Sequence, residues 1–276
     1  MNRRRATLTF WLGGSLTALF LFSSFLSVFW TPFDPNFVDT TVSSLRMGEG
    51  GHLLGTDMLG RDLFSGLLLG ARMSVFLGLA TASISVFLGT CLAFLAVAIS
   101  PWVDEMVMRL LDVLMAIPGV IIALVVATVV GPSPKSTVLV LAVFFAPVIA
   151  RVVRAATIPI LNEDFVQSAR MYGRGTFYCL VRHVLPNILS LLVVQFSLYT
   201  ANAVLAESGL SYLGVGISRP QISWGTLLKE AQEMAGPTTG LMLWPASIIL
   251  VFVLALNIFG DGLRDLLDPR SAGRVS

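Results

Sequence analysis

Six long apolar runs constrain this chain more than any other feature of its sequence. They occupy residues 8–30, 74–99, 107–130, 137–156, 188–206 and 241–260. A helix needs about 20 mostly apolar residues to cross a bilayer, so each run predicts one transmembrane helix. Pro147 interrupts the fourth run, but neighbouring helices can satisfy the carbonyl that a proline frees, and we keep this span. The pattern predicts an all-α membrane protein with six spans.

The composition supports lipid as the solvent and excludes several other classes of protein. Of the 276 residues, 55% are hydrophobic and 12% are charged, whereas a soluble domain carries roughly 25% charged residues. The net charge of +2 is too small for a nucleic-acid-binding surface. Two cysteines give no disulfide framework, and two histidines argue against a His/Cys zinc site. We therefore expect contact with membrane lipid, no nucleic-acid partner and no metal site.

The first run follows Arg3, Arg4 and Arg5, and a basic start before an apolar run is also typical of a secretory signal peptide. The run is too long for the apolar part of a signal peptide, and residues 29–32 (Phe-Trp-Thr-Pro) are not a small-residue cleavage site. We therefore predict that residues 1–30 form a cytoplasmic N-terminus and an uncleaved first span.

The distribution of basic residues predicts the orientation of the chain. With the N-terminus inside, twelve of the eighteen Lys and Arg residues lie on the cytoplasmic side and six lie outside, as the positive-inside rule requires. Both termini are then cytoplasmic. Residues 31–73 form an extracytoplasmic loop, residues 74–260 the core with spans two to six, and residues 261–276 a cytoplasmic C-terminus. Residues 207–240 form a second external loop, and residues 157–186 form a cytoplasmic loop between spans four and five.

The predicted spans carry little chemistry of their own. Spans one, two, five and six have no ionisable residue in their interiors, which argues against an ion-coupled carrier. Asp112, Arg151 and Arg154 lie near the cytoplasmic ends of spans three and four, where we expect interfacial or interhelical contacts. Residues 131–136 superficially resemble a phosphate-binding loop, but Pro134 stands where the Walker pattern needs glycine. With no catalytic motif, we expect a non-enzyme without a cofactor of its own, powered by a partner.

The loop between spans four and five predicts two short amphipathic helices. Asn162 is a suitable N-cap, and the acidic pair that follows it favours the start of a helix. Four apolar residues then recur at helical spacing on one side: Phe165, Val166, Ala169 and Tyr172. Gly173 is expected to end this helix, and a second helix over residues 176–183 leads to Pro186 in the first turn of span five.

Spacing alone leaves two roles open for this loop. One is a connector that lies at the membrane surface. The other is a docking element, in which the small residues Ser168, Ala169 and Gly173 let a partner approach closely.

Residues of this loop resemble the EAA loop of ABC importer permeases, namely Gln167-Ser168-Ala169, Gly173 and Leu185-Pro186. The rest of the chain resembles one branch of that family, the second permease subunit of dipeptide, oligopeptide and nickel importers. The motifs that carry this likeness are residues 52–62 (HLLGTDMLGRD), 109–112 (RLLD), 117–119 (IPG), 206–216 (AESGLSYLGVG), 223–225 (SWG), 257 (N), 260–265 (GDGLRD) and 267–270 (LDPR). Their order along nearly the whole chain makes the resemblance specific.

The resemblance implies the fold of a type I importer permease and a set of partners. Such a chain forms half of a pore with a second permease subunit in the bacterial cytoplasmic membrane. Two cytoplasmic ATPases bind ATP and magnesium, and an extracytoplasmic binding protein delivers the substrate. Within the EAA loop the implied ATPase contacts are Asp164, Gln167, Ser168, Ala169, Arg170, Gly173 and Pro186.

The loop departs from the family pattern at two points. Gln167-Ser168 replaces an acidic-small start, and Arg174 stands where a small residue usually follows the glycine. We expect docking to survive both departures, whereas an acid-dependent salt bridge from position 167 to the ATPase is not implied.

The other family-motif residues are expected to have mainly structural roles. They are His52, Gly55, Asp57, Gly60, Arg61, Asp62, Asp112, Pro118, Glu207, Gly209, Gly214, Trp224, Asp261, Arg264 and Asp268. The polar residues of the 52–62 motif either hold the loop by local hydrogen bonds, with tight turns at its glycines, or contact the binding protein or the substrate. The charged cluster after the last span is expected to anchor the C-terminus rather than to bind a ligand.

Import of peptides is the function that the resemblance favours. Nickel or another metal, free or chelated, is the alternative within the family, and the absence of histidine from the spans favours peptides only slightly. Outside the family, the alternatives are a channel or ion-coupled carrier and a non-transporting membrane scaffold.

Overall fold

The computed structural model describes residues 3–234 and 240–267, and over these residues the chain is almost entirely helical. The helices are α1 (Arg3–Phe29), α2 (Leu63–Ile99), α3 (Pro101–Ala116), α4 (Gly119–Val130), α5 (Pro134–Leu161), α6 (Asp164–Met171), α7 (Thr176–Cys179), α8 (Leu185–Tyr212), α9 (Trp224–Glu233) and α10 (Gly240–Leu267). Short 3₁₀ turns occupy Thr40–Val42 and Glu49–Gly51, and a π-helical segment, Leu180–Val184, joins α7 to α8. The described residues include only one isolated β-bridge, between Thr56 and Asp62.

Five helical stretches among the described residues are long and apolar enough to cross a membrane. They are Thr7–Phe29, Leu63–Ile99, Pro134–Leu161, Thr176–Tyr212 and Gly240–Leu267. The helix α2 packs along α5 and α8, while α1 packs along α10. The chain is therefore a multi-pass membrane protein, and the predicted first, fourth and sixth spans lie close to their predicted bounds.

The predicted third span, residues 107–130, is wrong as a continuous helix. The structure divides this region into α3 and α4, and Ile117 between them has extended dihedral angles (φ −92°, ψ 123°). Pro118 causes the break, because it disfavours helical angles in the residue before it and has no N–H to donate. Neither helix, of 16 and 12 residues, alone reaches the length needed to cross a bilayer.

The second span begins at Leu63, eleven residues before its predicted start at Ser74. Asp62 sets this start because its Oδ2 accepts a hydrogen bond from the Ser65 N–H at 2.7 Å and so caps the helix. The predicted loop of residues 31–73 is therefore shorter, and its last eleven residues are helical. At about 1.5 Å per residue the 37-residue helix is long enough to extend well beyond a hydrocarbon core of about 30 Å.

The fifth span also extends beyond its predicted bounds at both ends. The predicted second loop helix, residues 176–183, is not separate, because helical structure continues from Thr176 through the π-helical segment to Tyr212. Glu207, predicted at the start of an external loop, lies inside α8 and is buried. The predicted 207–240 loop thus consists of the end of α8, an irregular segment and α9, followed by residues outside the described range.

Two large clusters of buried apolar side chains stabilise the bundle. One lies between α5, α6, the π-helical segment and α8, and includes Ile149, Val166 and Leu180. The other joins α2, α8, α9 and α10 around Trp224 and Phe252. The short helices α6 and α9 are therefore each packed against the bundle of long helices.

Candidate functional site

The helix α6 lies between α5 and α7 and begins at Asp164. The N-cap is Glu163, whose side chain makes no capping hydrogen bond, so the prediction of Asn162 as N-cap is wrong. Asn162 instead ends α5, where its N–H donates to the Pro159 carbonyl at 3.0 Å. The turn between α5 and α6 is therefore only two residues long.

The inner face of α6 consists of Val166, which is fully buried, and Ala169, which packs against the same cluster. Two other residues of the predicted apolar side differ from expectation. Phe165 is 48% exposed and makes an edge contact with His183, with ring centroids 5.8 Å apart. Tyr172 is 87% exposed, since it follows Phe165 by two helical turns and so lies on the same exposed side.

The end of α6 is a glycine-dependent turn, as predicted. Gly173 has a φ of +78°, and its N–H donates to the Arg170 carbonyl at 2.9 Å. The N–H of Arg174 donates to the Ala169 carbonyl at 3.1 Å. This pair of bonds is the Schellman pattern, in which glycine avoids the strain that a Cβ would cause in the left-handed region.

The turn carries an exposed apolar tip, defined here as Met171, Tyr172 and Phe177. These side chains are 83%, 87% and 73% exposed, respectively. They belong to α6, α7 and the turn between them, and each of these two helices also has a fully buried residue, Val166 in α6 and Cys179 in α7. Sequence reasoning missed Met171 and Phe177, although the density of large apolar residues next to a glycine turn was the available signal.

The polar residues predicted to contact an ATPase are mostly held by their own loop. Gln167 Nε2 donates to the Leu161 carbonyl at 3.1 Å, across the α5–α6 turn. Ser168 Oγ donates to the Asp164 carbonyl at 2.8 Å. Arg170 Nε is buried without a hydrogen-bond partner among the described residues.

Three further residues complete this loop. The Asp164 side chain and Pro186 are exposed. Arg174, the departure after the glycine, lies over the ring of Tyr178 at 4.8 Å. The loop is thus a folded unit in which Gln167 and Ser168 serve the local structure, while the apolar tip is largely exposed.

Directly before the start of α2, residues 52–62 form a compact folded loop. Asp57 Oδ1 accepts the N–H groups of Leu59 and Arg61, each at 2.8 Å. Gly55 and Gly60 have φ values of +82° and +74°, which confirms the predicted tight turns. A Cβ on Gly60 would collide with the backbone carbonyl of Asp39. Asp57 thus makes the local hydrogen bonds expected of a structural role, while contact of the motif with the binding protein or the substrate stays a prediction.

A buried pair closes this loop against α2. His52 Nδ1 lies 2.9 Å from Asp62 Oδ1, and the imidazole stacks on Phe33 with centroids 4.3 Å apart. The Arg61 side chain is not satisfied in the same way, because its Nε is buried without a hydrogen-bond partner among the described residues. Nearby, hydrogen bonds from the Thr41 hydroxyl and N–H lower the pKa of the exposed Asp39 carboxyl.

Two ion pairs link α3 to α5, as expected for interhelical contacts. Arg151 pairs with Asp112. Arg154 forms a bidentate pair with Asp104, in which Nε lies 2.6 Å from Oδ1 and Nη2 contacts Oδ2. These ion pairs hold α3, the helix before the break at Pro118, against α5.

Trp224 and Glu207 join α9 to the bundle. The Trp224 indole is fully buried, with Nε1 donating to the Leu67 carbonyl at 3.1 Å. Glu207 Oε1 accepts a hydrogen bond from Ser211 Oγ at 2.7 Å, and Ser211 Oγ in turn accepts the Ile217 N–H at 2.8 Å. The structural roles predicted for Trp224 and Glu207 have a clear geometric basis, although burial of this glutamate was not foreseen.

The remaining described motif residues are exposed or lie near the end of a helix. Gly209 lies on the exposed side of α8, and Gly214 follows that helix with a φ of +82°. Asp261 and Arg264 are exposed but belong to the last turns of α10, beyond the predicted end of the span. Asp268 lies outside the described residues. Among residues 3–234 and 240–267, no group of three or more His, Cys, Asp or Glu side chains could hold a metal ion.

Curated relatives cover nearly the whole chain. It is 38% identical over 265 residues to the di/tripeptide transport system permease protein DppC of Pseudomonas aeruginosa, a match that covers 94% of this chain and 88% of the relative. It is 35% identical over 261 residues to the glutathione transport system permease protein GsiD of Pectobacterium atrosepticum, covering 93% and 85% of the two chains.

Two other comparisons concern the fold and the family. A chain in an inward-facing structure of the MetNI methionine ABC transporter has a TM-score of 0.56 and 19% identity, covering 72% of this chain and 96% of the other, which shows a shared fold. Residues 85–273 match the family described as "Binding-protein-dependent transport system inner membrane component". The chain therefore belongs to this family of ABC importer permeases, as a transporter subunit that works with an ATPase and a substrate-binding protein and is not itself an enzyme.

Proposed function

We propose that this chain forms one half of the translocation path of an ATP-driven peptide importer in the bacterial inner membrane. The second half is a different permease subunit, and two ATPases bind below the pair. Support for peptides as the substrate comes from relatives at 35–38% identity whose names specify di/tripeptide and glutathione transport. The binding protein on the outer side then delivers the peptide to the pore.

The orientation belongs to the same proposal. The α5–α8 connection faces the cytoplasm, together with both termini, and the 31–62 segment and α9 face outward. The excess of Arg and Lys near the connection and the termini supports this orientation through the positive-inside rule.

The observation that carries the proposal is the exposed apolar tip, which lies on helices that are packed against the bundle through buried residues. Large exposed apolar side chains on a rigid turn are typical of a surface that a partner covers. We propose that this surface docks into a cleft on an ATPase, with residues 164–170 of α6 and Gly173 at the contact. The chain itself needs no cofactor, since ATP and magnesium bind to the ATPases.

Force can reach the bundle through this contact. When the ATPases close on ATP, they displace α6, and the buried Val166 moves α5 and α8 with it. The bundle then changes between inward-open and outward-open packings, which is a transition between discrete states. By reciprocity, a loaded binding protein outside must also favour ATPase closure.

The test places a charge on the apolar tip in the assembled importer. We expect Tyr172→Arg and Phe177→Arg to lower co-purification of the ATPases and to abolish substrate-stimulated ATP hydrolysis, with normal membrane insertion. Phe37→Arg is the matched control, since this exposed aromatic lies on the 31–62 segment. Full ATPase retention in both tip variants, or equal loss in the control, would contradict the docking assignment.

Substrate choice needs a separate assay. Uptake of a labelled dipeptide and of nickel should be compared in cells with and without this chain. We expect only dipeptide uptake to depend on it, and nickel uptake that disappears with the chain would favour the metal alternative.

A further inference from the structure

A large apolar groove lies between α1, α2 and the start of α5. Its volume is about 1060 Å³. Its walls include Phe25 of α1, Phe76 and Leu79 of α2, and Leu139 of α5. Three of these side chains, those of Phe25, Phe76 and Leu139, are more than half exposed. The groove is therefore an open surface feature of the membrane bundle.

Two basic side chains stand at one end of this groove. Arg72 and Lys135 both line it and both are exposed. Neither forms an ion pair or a hydrogen bond with the part of the chain that the structure describes. Lys135 also lies in the first turn of α5, where the helix N-terminus adds positive partial charge. This end of the groove is suited to an anion.

The length of the groove matches one leaflet of a bilayer. Along α2 it extends from Arg72 to Ile84, a distance of about 18 Å at 1.5 Å per residue. Half of a bilayer's hydrocarbon core is about 15 Å thick. Lys135 lies in the first turn of α5, and Arg72 lies two residues before the uncharged apolar run of residues 74–99 within α2. Long basic side chains at such positions reach the headgroup level.

We propose that the groove binds an anionic phospholipid, whose phosphate is held between Arg72 and Lys135. The acyl chains lie along Phe25, Phe76 and Leu139. A hydrocarbon chain needs no polar partner along these walls, whereas a peptide would leave its backbone N–H and C=O groups unsatisfied there. The leaflet is the outer one in the orientation proposed above, but the site depends neither on that orientation nor on the substrate.

The first test measures lipid retention by the complete importer. The complex is reconstituted with equal amounts of phosphatidylglycerol and phosphatidylcholine, extracted, and analysed for bound lipid by native mass spectrometry. One basic residue near an anionic surface favours binding about fivefold, so two should give a preference of about 25-fold for phosphatidylglycerol. We expect the Arg72→Gln/Lys135→Gln double variant to bind both lipids equally.

A matched control separates a site from general surface charge. The Arg46→Gln/Lys229→Gln variant removes two other basic residues from the same end of the molecule and should keep the full preference. An unchanged preference in the groove variant, or an equal loss in the control, overturns the proposal. Gel filtration with the partner subunits verifies that each variant is assembled.

A second measurement identifies what occupies the groove in the membrane. A photo-crosslinking amino acid at position 139 in the assembled importer should yield an adduct with the mass of a phospholipid. An adduct with another protein chain would show that a partner helix covers the groove and would overturn the proposal.

Discussion

Replacement of Trp224 is the sharpest test of how α9 is held to the bundle. Its indole is fully buried between α1, α2 and α10. The ring centroids lie 5.8 Å from Phe20 and 5.3 Å from Phe252, both in edge-to-face geometry. The side chain also donates to the Leu67 carbonyl. The Trp224→Ala variant removes all three contacts at once.

The contacts of Trp224 set the expected loss of stability in the Trp224→Ala variant. Each edge-to-face pair is worth about 0.5–1.5 kcal/mol, and the hydrogen bond contributes about 0.5–1.5 kcal/mol. Trp-to-Ala changes in packed interiors cost about 3–5 kcal/mol in total, because a cavity also forms. Trp224→Phe keeps an aromatic ring against Phe20 and Phe252, so we expect it to cost less than half as much.

Unfolding by SDS titration of the detergent-solubilised protein measures this loss. Trp102→Ala is the control, because Trp102 is 68% exposed and its removal should cost less than about 1 kcal/mol. Unfolding of Trp224→Ala at the same SDS fraction as Trp102→Ala would refute this role of Trp224. Equal instability of Trp224→Phe and Trp224→Ala would also refute it, since aromatic packing would then contribute nothing.

Three further predictions follow from other contacts. Gly60→Ala should destabilise the protein by at least about 2 kcal/mol, because it combines a left-handed φ with a backbone collision; faster proteolysis of the 31–62 segment would show this, and wild-type resistance would contradict it. A double-mutant cycle with Asp104→Asn and Arg154→Gln should give a coupling free energy of about 1–3 kcal/mol, and additive losses would show that the pair is not formed. Gly173→Ala should cost about 1 kcal/mol and speed hydrogen exchange at the end of α6. Gly175→Ala, at an equally open position with negative φ, should leave exchange unchanged, and equal exchange in both variants would refute the argument.

The apolar runs predicted most of the bundle, because membrane helices must satisfy their backbone internally and so leave a strong length signal. The local signals that moved helix boundaries are weaker. The Asp62 cap extended α2, and Pro118 divided the predicted third span. Both residues stood in recognised motifs, but a motif does not state whether a proline is tolerated or breaks the helix. That outcome depends on packing against α5, which the sequence does not show.

The candidate site was predictable in position but not in detail. Gly173 marked the turn, and the resemblance marked the loop as a docking element. The prediction that Tyr172 lies on the inner face is wrong, because it shares the exposed side of Phe165, two turns earlier. A helix of eight residues gives too short a pattern for its last position to be assigned by periodicity. The burial of Glu207 was missed because the fifth span was predicted to end at residue 206, whereas α8 continues to Tyr212 and packs against α9.

The contacts also indicate which parts of the bundle move together. The α5–α6 turn is two residues long and is bridged by the Gln167 side chain to the Leu161 carbonyl. Val166 shares a buried cluster with residues of both α5 and α8, so a displacement of α6 must act on both helices. The ion pairs of Asp104 and Asp112 attach α3 to α5. In contrast, α4 follows the break at Pro118 and packs against α5, where the Phe144 ring lies close to Gly119. Force applied at α6 should therefore carry α3 and α5 as one body, with the extended backbone at Ile117 as the position where α4 can change its angle.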